Sequence, residues 1–530
     1  MIIDDTAALL GSEANTSPRQ LQPRRLLMGI FASYTQIVLS LMVGFVSTPL
    51  YLKFLGQENY GLWITMSSIT AYLSLSTVGF STTSLVRMSQ AYAQDDRRQV
   101  GRLLTTSAVL WFGVAALACC LLILLVAMGA IRPELFGASN ATGRWVLPVL
   151  MVLALGFLLS QPLDVFRLAV RAFQRVDLEQ AYIALNKLLL FGAAVTVIAL
   201  GGGVLGLAVT TVGCQLTLGV VLVVAIARFY PNVPLSFNQF DIGTARKLIV
   251  PSFYFFAISM AGSLIWGTDN LVISTNMGLS AVAPFAVAMQ LSTMGTGLLA
   301  ATINATMPRV SALDSLNEHE KLKILLKQVV KLEFALVSLL GIGFFSFGVG
   351  FLRLWVGPQN VAPRSVLGVL LLVFLVRSFA MPFEMVLVGT LKHRVYAGVV
   401  IAEGLLNLFL SLFLVRRMGL LGVALGTLVS HLLCTGWFLP TKGLSLVGLH
   451  LRDVFWTSLM PITPAILVGL TTAQVLKIGI SIDGWIMLVL SSMITAVVFL
   501  TLLWIVGLRP EERLMFQLFG LGLLRVHTRE

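Results

Sequence analysis

The sequence predicts an all-α, polytopic membrane protein with about fourteen transmembrane helices, arranged as two pseudosymmetric six-helix lobes and two C-terminal helices. The first observation behind this prediction is composition: 57% of the 530 residues are hydrophobic, 11% are charged, and the mean hydropathy is +0.93. Soluble proteins are roughly 45–50% apolar and about 25% charged. A soluble fold of this length could not bury so much apolar surface, so lipid is the expected solvent for most of the chain.

The second observation is a series of apolar runs, each close to the roughly 20 residues that a helix needs to cross a bilayer. In the first half the runs lie at 26–52, 61–86, 103–130, 145–170, 179–200 and 204–227. In the second half they lie at 249–276, 281–306, 333–356, 365–390, 397–415 and 418–440, and two more follow at 455–476 and 484–507. The runs predict a cytoplasmic tail over 1–25, an N-lobe over 26–240, a C-lobe over 241–445, and two final helices with a cytoplasmic tail over 446–530.

The third observation is an internal repeat, in which polar landmarks of the first half return in the second half in the same order. At a shift of 222 residues, Gly56 matches Gly278, Arg87 matches Arg309, Ser89 matches Ser311, Asp95 matches Asn317 and Asp96 matches Glu318. Pro162 and Asp164 match Pro382 and Glu384 at 220, and Leu205–Ala208 resembles Leu421–Ala424 at 216. Repeats of this kind are common in transporters, and they predict a duplicated membrane unit.

The distribution of basic residues predicts the orientation. With both termini inside, 26 of the 36 Lys and Arg residues fall in inner segments and 8 in outer ones. Cytoplasmic loops carry such an excess, so we expect a multi-pass protein of the cell's inner or plasma membrane with cytoplasmic termini. The inner linker 309–332 alternates apolar and lysine residues, which predicts a short amphipathic helix.

Several functional classes receive no support from the residues. The net charge of +13 arises from cations in short loops, and no basic stripe with interleaved aromatics indicates nucleic-acid binding. The four cysteines lie within apolar runs, and the five histidines are scattered. No zinc site, disulfide framework or catalytic triad is visible. We therefore expect no catalytic residue, no metal and no cofactor, and the chain is not predicted to be an enzyme.

Ionisable residues inside the apolar runs are the main candidates for function, because each costs about 2.5–3.5 kcal/mol to insert and therefore usually pairs or faces water. Asp164 and Lys187 fall at matching depths of spans four and five, and they could form an ion pair or contact a substrate. Glu384 and Glu403 fall at corresponding positions of spans ten and eleven, and Arg377 lies two turns from Glu384 on the same helix face. Two nearby carboxylates cannot both ionise easily in a low dielectric. The hypothesis is that Glu384 and Glu403 couple transport to protons or cations, with Asp164 a further coupling candidate; the alternative is that the two helices face different ways.

Two other groups of polar residues are candidates for substrate contact. Asp269 and Asn270 interrupt span seven, and with Gln290 on span eight they could line a polar cavity or only cap the local backbone. Arg87, Arg167 and Arg171 lie at the inner mouth, where they could set the topology or gather an anionic headgroup in the bidentate manner of arginine.

Four stretches carry a resemblance to a known family. The segments Pro49-Leu-Tyr-Leu-Lys-Phe-Leu-Gly56 and Glu58-Asn-Tyr-Gly-Leu-Trp63 resemble the first outer loop of polysaccharide-export flippases. Asp269–Ser274 and Arg167–Gln174 resemble that family's seventh span and fourth inner loop. The family includes O-antigen translocases and belongs to the superfamily that also holds MATE drug exporters. The resemblance covers about residues 26–507, and its matched positions are Gly56, Tyr60, Gly61, Arg167, Arg171 and Asp269.

The resemblance implies two six-helix lobes around a central cavity that rock to give alternating access. It implies a polyprenyl-pyrophosphate-linked oligosaccharide as substrate, membrane lipid as surroundings, and a polysaccharide polymerase or glycosyltransferases as candidate partners. A cationic cavity is usual in that family, whereas here Lys187 and Arg377 are the deep cations. A MATE-type antiporter of drugs or organic cations, using Asp269 and the two glutamates, is the main alternative. A membrane-embedded enzyme or a scaffold protein is less well supported, since no large polar loop with paired carboxylates is present.

Overall fold

The structure is a computed structural model that describes residues 23–230, 233, 239–390, 394–479, 484–510 and 512–513. The helices are α1 (Pro23–Ala93), α2 (Arg97–Ala127), α3 (Asn140–Ala172), α4 (Val176–Ala199), α5 (Gly203–Phe229), α6 (Ile242–Met277), α7 (Leu279–Ser315), α8 (His319–Val356), α9 (Arg364–Gly389), α10 (Arg394–Met418), α11 (Leu420–Leu433), α12 (Thr435–Leu446), α13 (Leu451–Val454), α14 (Thr463–Gly479) and α15 (Trp485–Leu502). No strand occurs in the described part of the chain. The predicted tail over 1–25 lies almost wholly outside it.

The prediction of an all-α membrane protein is confirmed. Among the described residues, twelve helices are long and apolar enough to cross a membrane. The predicted spans 26–52 and 61–86 both fall within α1, whose 71 residues would measure about 107 Å if straight. A bend at Gly56 (φ 76°, ψ 171°) interrupts this helix, so the expected outer turn is reduced to one non-helical residue. The count of fourteen spans is consistent with this arrangement and stays a prediction.

Matched positions of the repeat share unusual backbone conformations. Gly56 has φ 76° and Gly278 has φ 87°, both in the region that glycine favours. Asp95 and Asn317, which are not glycines, have φ values of 57° and 55°. Each is followed by the N-cap residue of a new helix, Asp96 for α2 and Glu318 for α8. The two halves therefore end and begin helices in the same way at these landmarks, as a duplicated unit would.

Two predicted elements differ from the structure. The linker 309–332 was expected to contain a separate amphipathic helix, but α8 begins at His319 and continues without a break to Val356. The predicted span 418–440 lies almost wholly within one candidate membrane-crossing segment, Leu420–Leu446, but Cys434 (φ −110°, ψ −90°) interrupts it and separates α11 from α12. A π-helical turn also follows α13, over Phe455–Leu459, and another follows α15, over Leu503–Gly507.

The chain divides into two compact units, each with its own apolar core. Unit 1 contains Met1–Leu55, Ile69–Pro133 and Gly143–Met260, and unit 2 contains Gly56–Ser68, Glu134–Thr142 and Ala261–Glu530. The core of unit 1 includes Met88, Trp111 and Phe173. A large cluster of unit 2, which includes Leu326 and Phe383, packs α7, α8, α9 and α12 together. These side chains fill the space between helices whose other faces remain exposed, as lipid-facing helices require.

A close backbone approach in unit 2 depends on glycine. A Cβ placed on Gly61 of α1 would lie 1.9 Å from the carbonyl oxygen of Leu279, the first residue of α7. No side chain fits at that distance. Glycine is therefore required for α1 and α7 to meet here.

Candidate functional site

A half-buried ion pair joins two turns of α9. Arg377 donates through Nη1 to Oε2 of Glu384 at 2.7 Å, and the hydroxyl of Tyr396 on α10 donates to Oε1 of Glu384 at 2.6 Å. The side chains of Arg377 and Glu384 are 22% and 24% exposed. The i, i+7 spacing that places both residues on one helix face thus produces direct contact, and Tyr396 occupies the second carboxylate oxygen.

A buried acid–base pair lies at the break between α11 and α12. Oε1 of Glu403, on α10, contacts Nδ1 of His431 near the end of α11. Oε2 of Glu403 accepts the backbone N–H of Thr435, the first residue of α12, at 3.1 Å. The first N–H groups of a helix have no partner within it, and a carboxylate is favoured at that end. Glu403 therefore satisfies the start of α12, while His431 lies at the end of α11 where a cation is favoured.

A second buried polar network is centred on Asp269 of α6. Thr427 on α11 donates to Oδ2 of Asp269 at 3.2 Å, and Asn407 on α10 donates to Thr427 at 3.0 Å. Thr268 also lies 3.5 Å from the amide oxygen of Asn407. Asp269 is 2% exposed, and its Oδ1 has no hydrogen-bond partner among the described residues. One carboxylate with an open oxygen, surrounded by hydroxyl and amide groups, can hold a proton or a hard monovalent cation.

These two networks form layers along the same pair of helices. On α10 the polar residues Glu403, Asn407 and Ser411 recur every four residues, so they share one face. On α11 and the start of α12, Thr427, His431 and Thr435 recur with the same spacing. All six are buried. Contacts between the two stripes join Asn407 to Thr427 and Glu403 to His431 and Thr435, whereas the hydroxyl of Ser411 has no hydrogen-bond partner among the described residues.

The two glutamates predicted to form a coupling pair have different immediate partners. Glu384 bonds Arg377 and Tyr396, whereas Glu403 bonds His431 and the backbone of Thr435. Arg377 nevertheless interacts electrostatically with both carboxylates. The proposed coupling role of the glutamates thus involves two neighbouring sites linked by Arg377, and it stays a prediction.

In unit 1 the predicted residues form a salt-bridge cluster where α3 meets α4. Arg167 lies 3.4 Å from Asp164 and 3.0 Å from Glu179, while Arg171 lies 3.6 Å from the other oxygen of Glu179. The ion pair considered for Asp164 and Lys187 is therefore replaced by one to Arg167. The reason is that Arg167 follows Asp164 by one turn on the same helix, within easier reach than a residue of α4.

Lys187 is exposed on α4, twelve residues into a helix of 24. No ion pair is recorded for it within the described ranges. A cation halfway along an apolar helix is costly unless it faces water or an anion. Lys187 is thus available to a ligand.

The remaining predicted residues lie apart from these clusters. The side chain of Asn270 donates to Ser68 at 3.1 Å within unit 2. Gln290 on α7 is half-buried and has a polar or electrostatic interaction of its own. Arg87 is half-buried near the end of α1 in unit 1.

Unit 2 also contains an apolar groove of about 440 Å³ between α7, α8, α9 and α15. Its lining includes Leu298, Phe344, Phe374 and Leu488, with Ser492 and Thr495 as polar groups. Along α8 it extends from Leu339 to Phe351, which corresponds to about 18 Å of helix. The groove therefore suits a long hydrocarbon chain better than a compact polar molecule.

Sequence reasoning missed His431, Asn407, Thr427, Tyr396 and Glu179. The four-residue spacing of polar groups in two successive apolar runs was the signal that could have found the first three. Within the described ranges, no group of three or more His, Cys, Asp or Glu residues could hold a metal ion.

Comparisons with known proteins identify a family for this chain and solved structures with a similar fold. The model of a family described as "Polysaccharide biosynthesis protein" matches residues 26–314, and no curated protein sequence gives a match. A structure described as the lipid II flippase MurJ, in an inward closed conformation, shares 12% identity and superposes with a TM-score of 0.69, covering 90% of this chain and 98% of that one. An inward-facing multidrug resistance transporter of the MATE family shares 15% identity at a TM-score of 0.61, covering 78% and 95%.

A transporter of the MOP superfamily from Pyrococcus furiosus, described as having a binding pocket of reversed polarity, shares 17% identity at a TM-score of 0.57 over 82% of this chain and 99% of that chain. At such identities these likenesses establish the fold, which flippases and drug exporters share. The family model covers more than half of the sequence, and the resemblance seen in its outer loop and seventh span agrees with it. The chain belongs to the polysaccharide biosynthesis protein family.

Proposed function

We propose that this protein flips a lipid-linked oligosaccharide, a polyprenyl-pyrophosphate saccharide, from the inner to the outer leaflet of the cell membrane by alternating access. Polysaccharide biosynthesis and export would use the flipped product. The family supports the pathway, and the shared fold supports a transporter. A polymerase or glycosyltransferases are the proposed partners, because they make or consume such a substrate.

The observation that carries this proposal is a cation near the middle of an apolar helix in each unit. Lys187 is exposed halfway along α4, and Arg377 is half-buried at position 14 of the 26 residues of α9. Such residues are expensive in hydrocarbon and usually mark a substrate pathway. Lysine and arginine both bind phosphate, so a pyrophosphate headgroup suits them better than a cationic drug.

The apolar groove of unit 2 supports a substrate with a long hydrocarbon tail. Its wall along α8 is about 18 Å long and is lined chiefly by leucine and phenylalanine. A polyprenyl chain could lie there while its headgroup crosses the membrane. Burying apolar chain surface would stabilise the complex by about 25 cal/mol per Å².

For energy coupling, we propose that Asp269 binds a proton or a monovalent cation, and that Glu384, Glu403 and Asp164 contribute to the same process. Support comes from the open Oδ1 atom of Asp269 in an otherwise buried network. A buried carboxylate oxygen without a partner is costly, so occupation by a cation would stabilise this region. Ion binding could thereby change which conformation is favoured.

Deletion of the gene provides the first test, with lipid-linked sugars measured in each leaflet. We expect the saccharide to accumulate on the cytoplasmic side, and re-expression of the double variant K187Q/R377Q to leave it there. Lys477, an exposed residue near the end of α14, provides a matched control, and K477Q should restore flipping. Normal surface polysaccharide in the deletion strain would contradict the proposal.

The second candidate is a MATE-type antiporter of drugs or organic cations, and the specific observation in its favour is the buried acid Asp269. A buried carboxylate attracts organic cations as well as protons. Efflux of cationic dyes would be lost in the deletion strain and restored by the wild-type chain. Unchanged dye sensitivity together with accumulated lipid-linked sugar would exclude this candidate.

A further inference from the structure

Arg377 and Glu384 lie on one partly exposed stripe of α9. Val373, Phe374 and Ala380 are buried, whereas Arg377 and Glu384 keep about a fifth to a quarter of their side chains exposed. A charged pair open to hydrocarbon would cost several kcal/mol, so this stripe is expected to face water. A polar ligand can therefore reach the pair.

The contact between the two charges uses little of the arginine's capacity. A guanidinium has five N–H donors, and two of them can bind a carboxylate or phosphate as a fork. Here, among the described residues, the hydrogen bond from Nη1 to Glu384 is the one recorded for Arg377. The arginine is thus held at one point and keeps donors for a second anion.

The carboxylate of Glu384 does not depend on Arg377 alone. Its Oε1 accepts a hydrogen bond from the hydroxyl of Tyr396 at 2.6 Å, on the neighbouring helix α10. If Glu384 moved away from Arg377, this bond could remain. Among the described residues, Glu403 also interacts electrostatically with Arg377, and its carboxylate contacts His431 and the backbone N–H of Thr435.

We propose that Arg377 is an anion-binding site that Glu384 occupies in the absence of substrate, and that a phosphate group of the substrate binds Arg377 by displacing Glu384. Tyr396 keeps its hydrogen bond to the displaced carboxylate. The inference rests on the proposed function and specifies how the headgroup is bound. One anion replaces another, so the exchange avoids leaving the guanidinium unpaired at any stage. A site occupied in this way rejects weak ligands, because a ligand must compete with a charge-assisted hydrogen bond.

The first measurement is calorimetric binding of inorganic pyrophosphate to the purified full-length protein in detergent. Replacing the carboxylate by an amide in E384Q removes the competitor. A hydrogen bond to a charged group contributes about 1.5–3 kcal/mol, so we expect E384Q to bind pyrophosphate roughly ten- to a hundredfold more tightly than the wild type. R377Q should lose binding, and R377K should recover only part of it because lysine lacks the fork. Y396F should weaken binding, since the displaced carboxylate would lose its partner.

Glu320 provides the matched control, because its carboxylate pairs with Lys323 at the exposed start of α8. E320Q should leave pyrophosphate affinity unchanged. If E384Q, folded as judged by its thermal unfolding, bound pyrophosphate no more tightly than the wild type, the pair would be a structural ion pair and the proposal would be wrong.

A second arm distinguishes the source of the phosphate. Polyprenyl pyrophosphate in mixed micelles should show the same relative gain in E384Q as inorganic pyrophosphate. A gain limited to the inorganic ion would overturn the assignment to the substrate headgroup. If the gain occurred with both ligands but no lipid-linked saccharide was flipped, the anion site would stand and the proposed function would fail. If the lipid-linked saccharide was flipped but E384Q showed no gain in affinity, the proposed function would stand and the anion site would fail.

Discussion

Glu403 and His431, at the break between α11 and α12, should be strongly coupled in their effects on stability, and a double-mutant cycle can measure this coupling. The two side chains are 0% and 3% exposed. Removing one partner of a buried ion pair typically costs about 3–5 kcal/mol, because the other is left uncompensated, whereas replacing both by apolar groups is often neutral. Glu403 also accepts the N–H of Thr435 at 3.1 Å, and an unpaired buried amide costs about 1–3 kcal/mol.

We therefore expect E403L to cost about 4–8 kcal/mol and H431L about 3–5 kcal/mol. The double variant E403L/H431L should cost only about 1–3 kcal/mol, which is the contribution of the unpaired Thr435 amide. These costs correspond to a coupling free energy of about 6–10 kcal/mol. The measurement is unfolding of the detergent-purified variants by heat and by denaturant.

The exposed pair Lys323 and Glu320 serves as the control, and its coupling should stay below about 1 kcal/mol. Additive costs for the Glu403 and His431 substitutions would refute the reasoning. In that case interactions other than the Glu403–His431 pair would stabilise the helix break at Cys434.

The remaining predictions concern ion coupling, backbone packing and the groove. D269N should retain the hydrogen bond from Thr427 but remove the negative charge. We therefore expect transport in a flipping assay to fall by at least about tenfold, while the unfolding temperature changes little. Undiminished transport would argue against a coupling role for Asp269. G61A should destabilise the protein markedly in thermal unfolding, because its Cβ would lie 1.9 Å from the carbonyl oxygen of Leu279. The control G192A, whose Cβ would meet nothing within 4 Å, should be neutral or stabilising by up to about 1 kcal/mol. G343F should fill the apolar groove and reduce flipping of long-chain substrates. Little stability should be lost, because a Cβ at Gly343 meets nothing within 4 Å. Equal flipping of long-chain and short-chain substrates by this variant would contradict the proposed binding site for the hydrocarbon tail.

Composition and helix periodicity were enough to predict much of the fold. The apolar content requires lipid, and the matched landmarks such as Gly56 with Gly278 and Asp95 with Asn317 adopt matching conformations. These positions depend on local backbone geometry, which the residue type itself restricts. The contact between Arg377 and Glu384 could also be anticipated from the sequence, because both residues lie on one helix and the helical period places them on the same face.

Contacts between different helices could not be predicted in the same way. Depth along the membrane placed Asp164 near Lys187 and Glu384 near Glu403, but depth does not determine which way each helix is rotated. Asp164 instead pairs with Arg167 one turn further along its own helix, and Glu384 bonds Tyr396 on the neighbouring helix, whose orientation is set by packing. An argument from matching depth therefore leaves the contact partners open.

The break at Cys434 is another feature that local sequence does not indicate. No proline or glycine occupies that position, and Pro440 lies six residues further on, within α12. The start of α12 is stabilised by Glu403 from a different helix. A helix end that depends on a tertiary partner gives no signal in its own run of residues.

The most direct test of the proposed function is flipping of a fluorescent polyprenyl-pyrophosphate oligosaccharide in proteoliposomes that contain only this protein. An impermeant quencher added outside reports the fraction of substrate in the outer leaflet. We predict rapid equilibration with the wild type, and rates near those of empty liposomes for K187Q/R377Q. Wild-type rates no faster than those of empty liposomes, under an imposed proton or sodium gradient of either direction, would contradict the central claim.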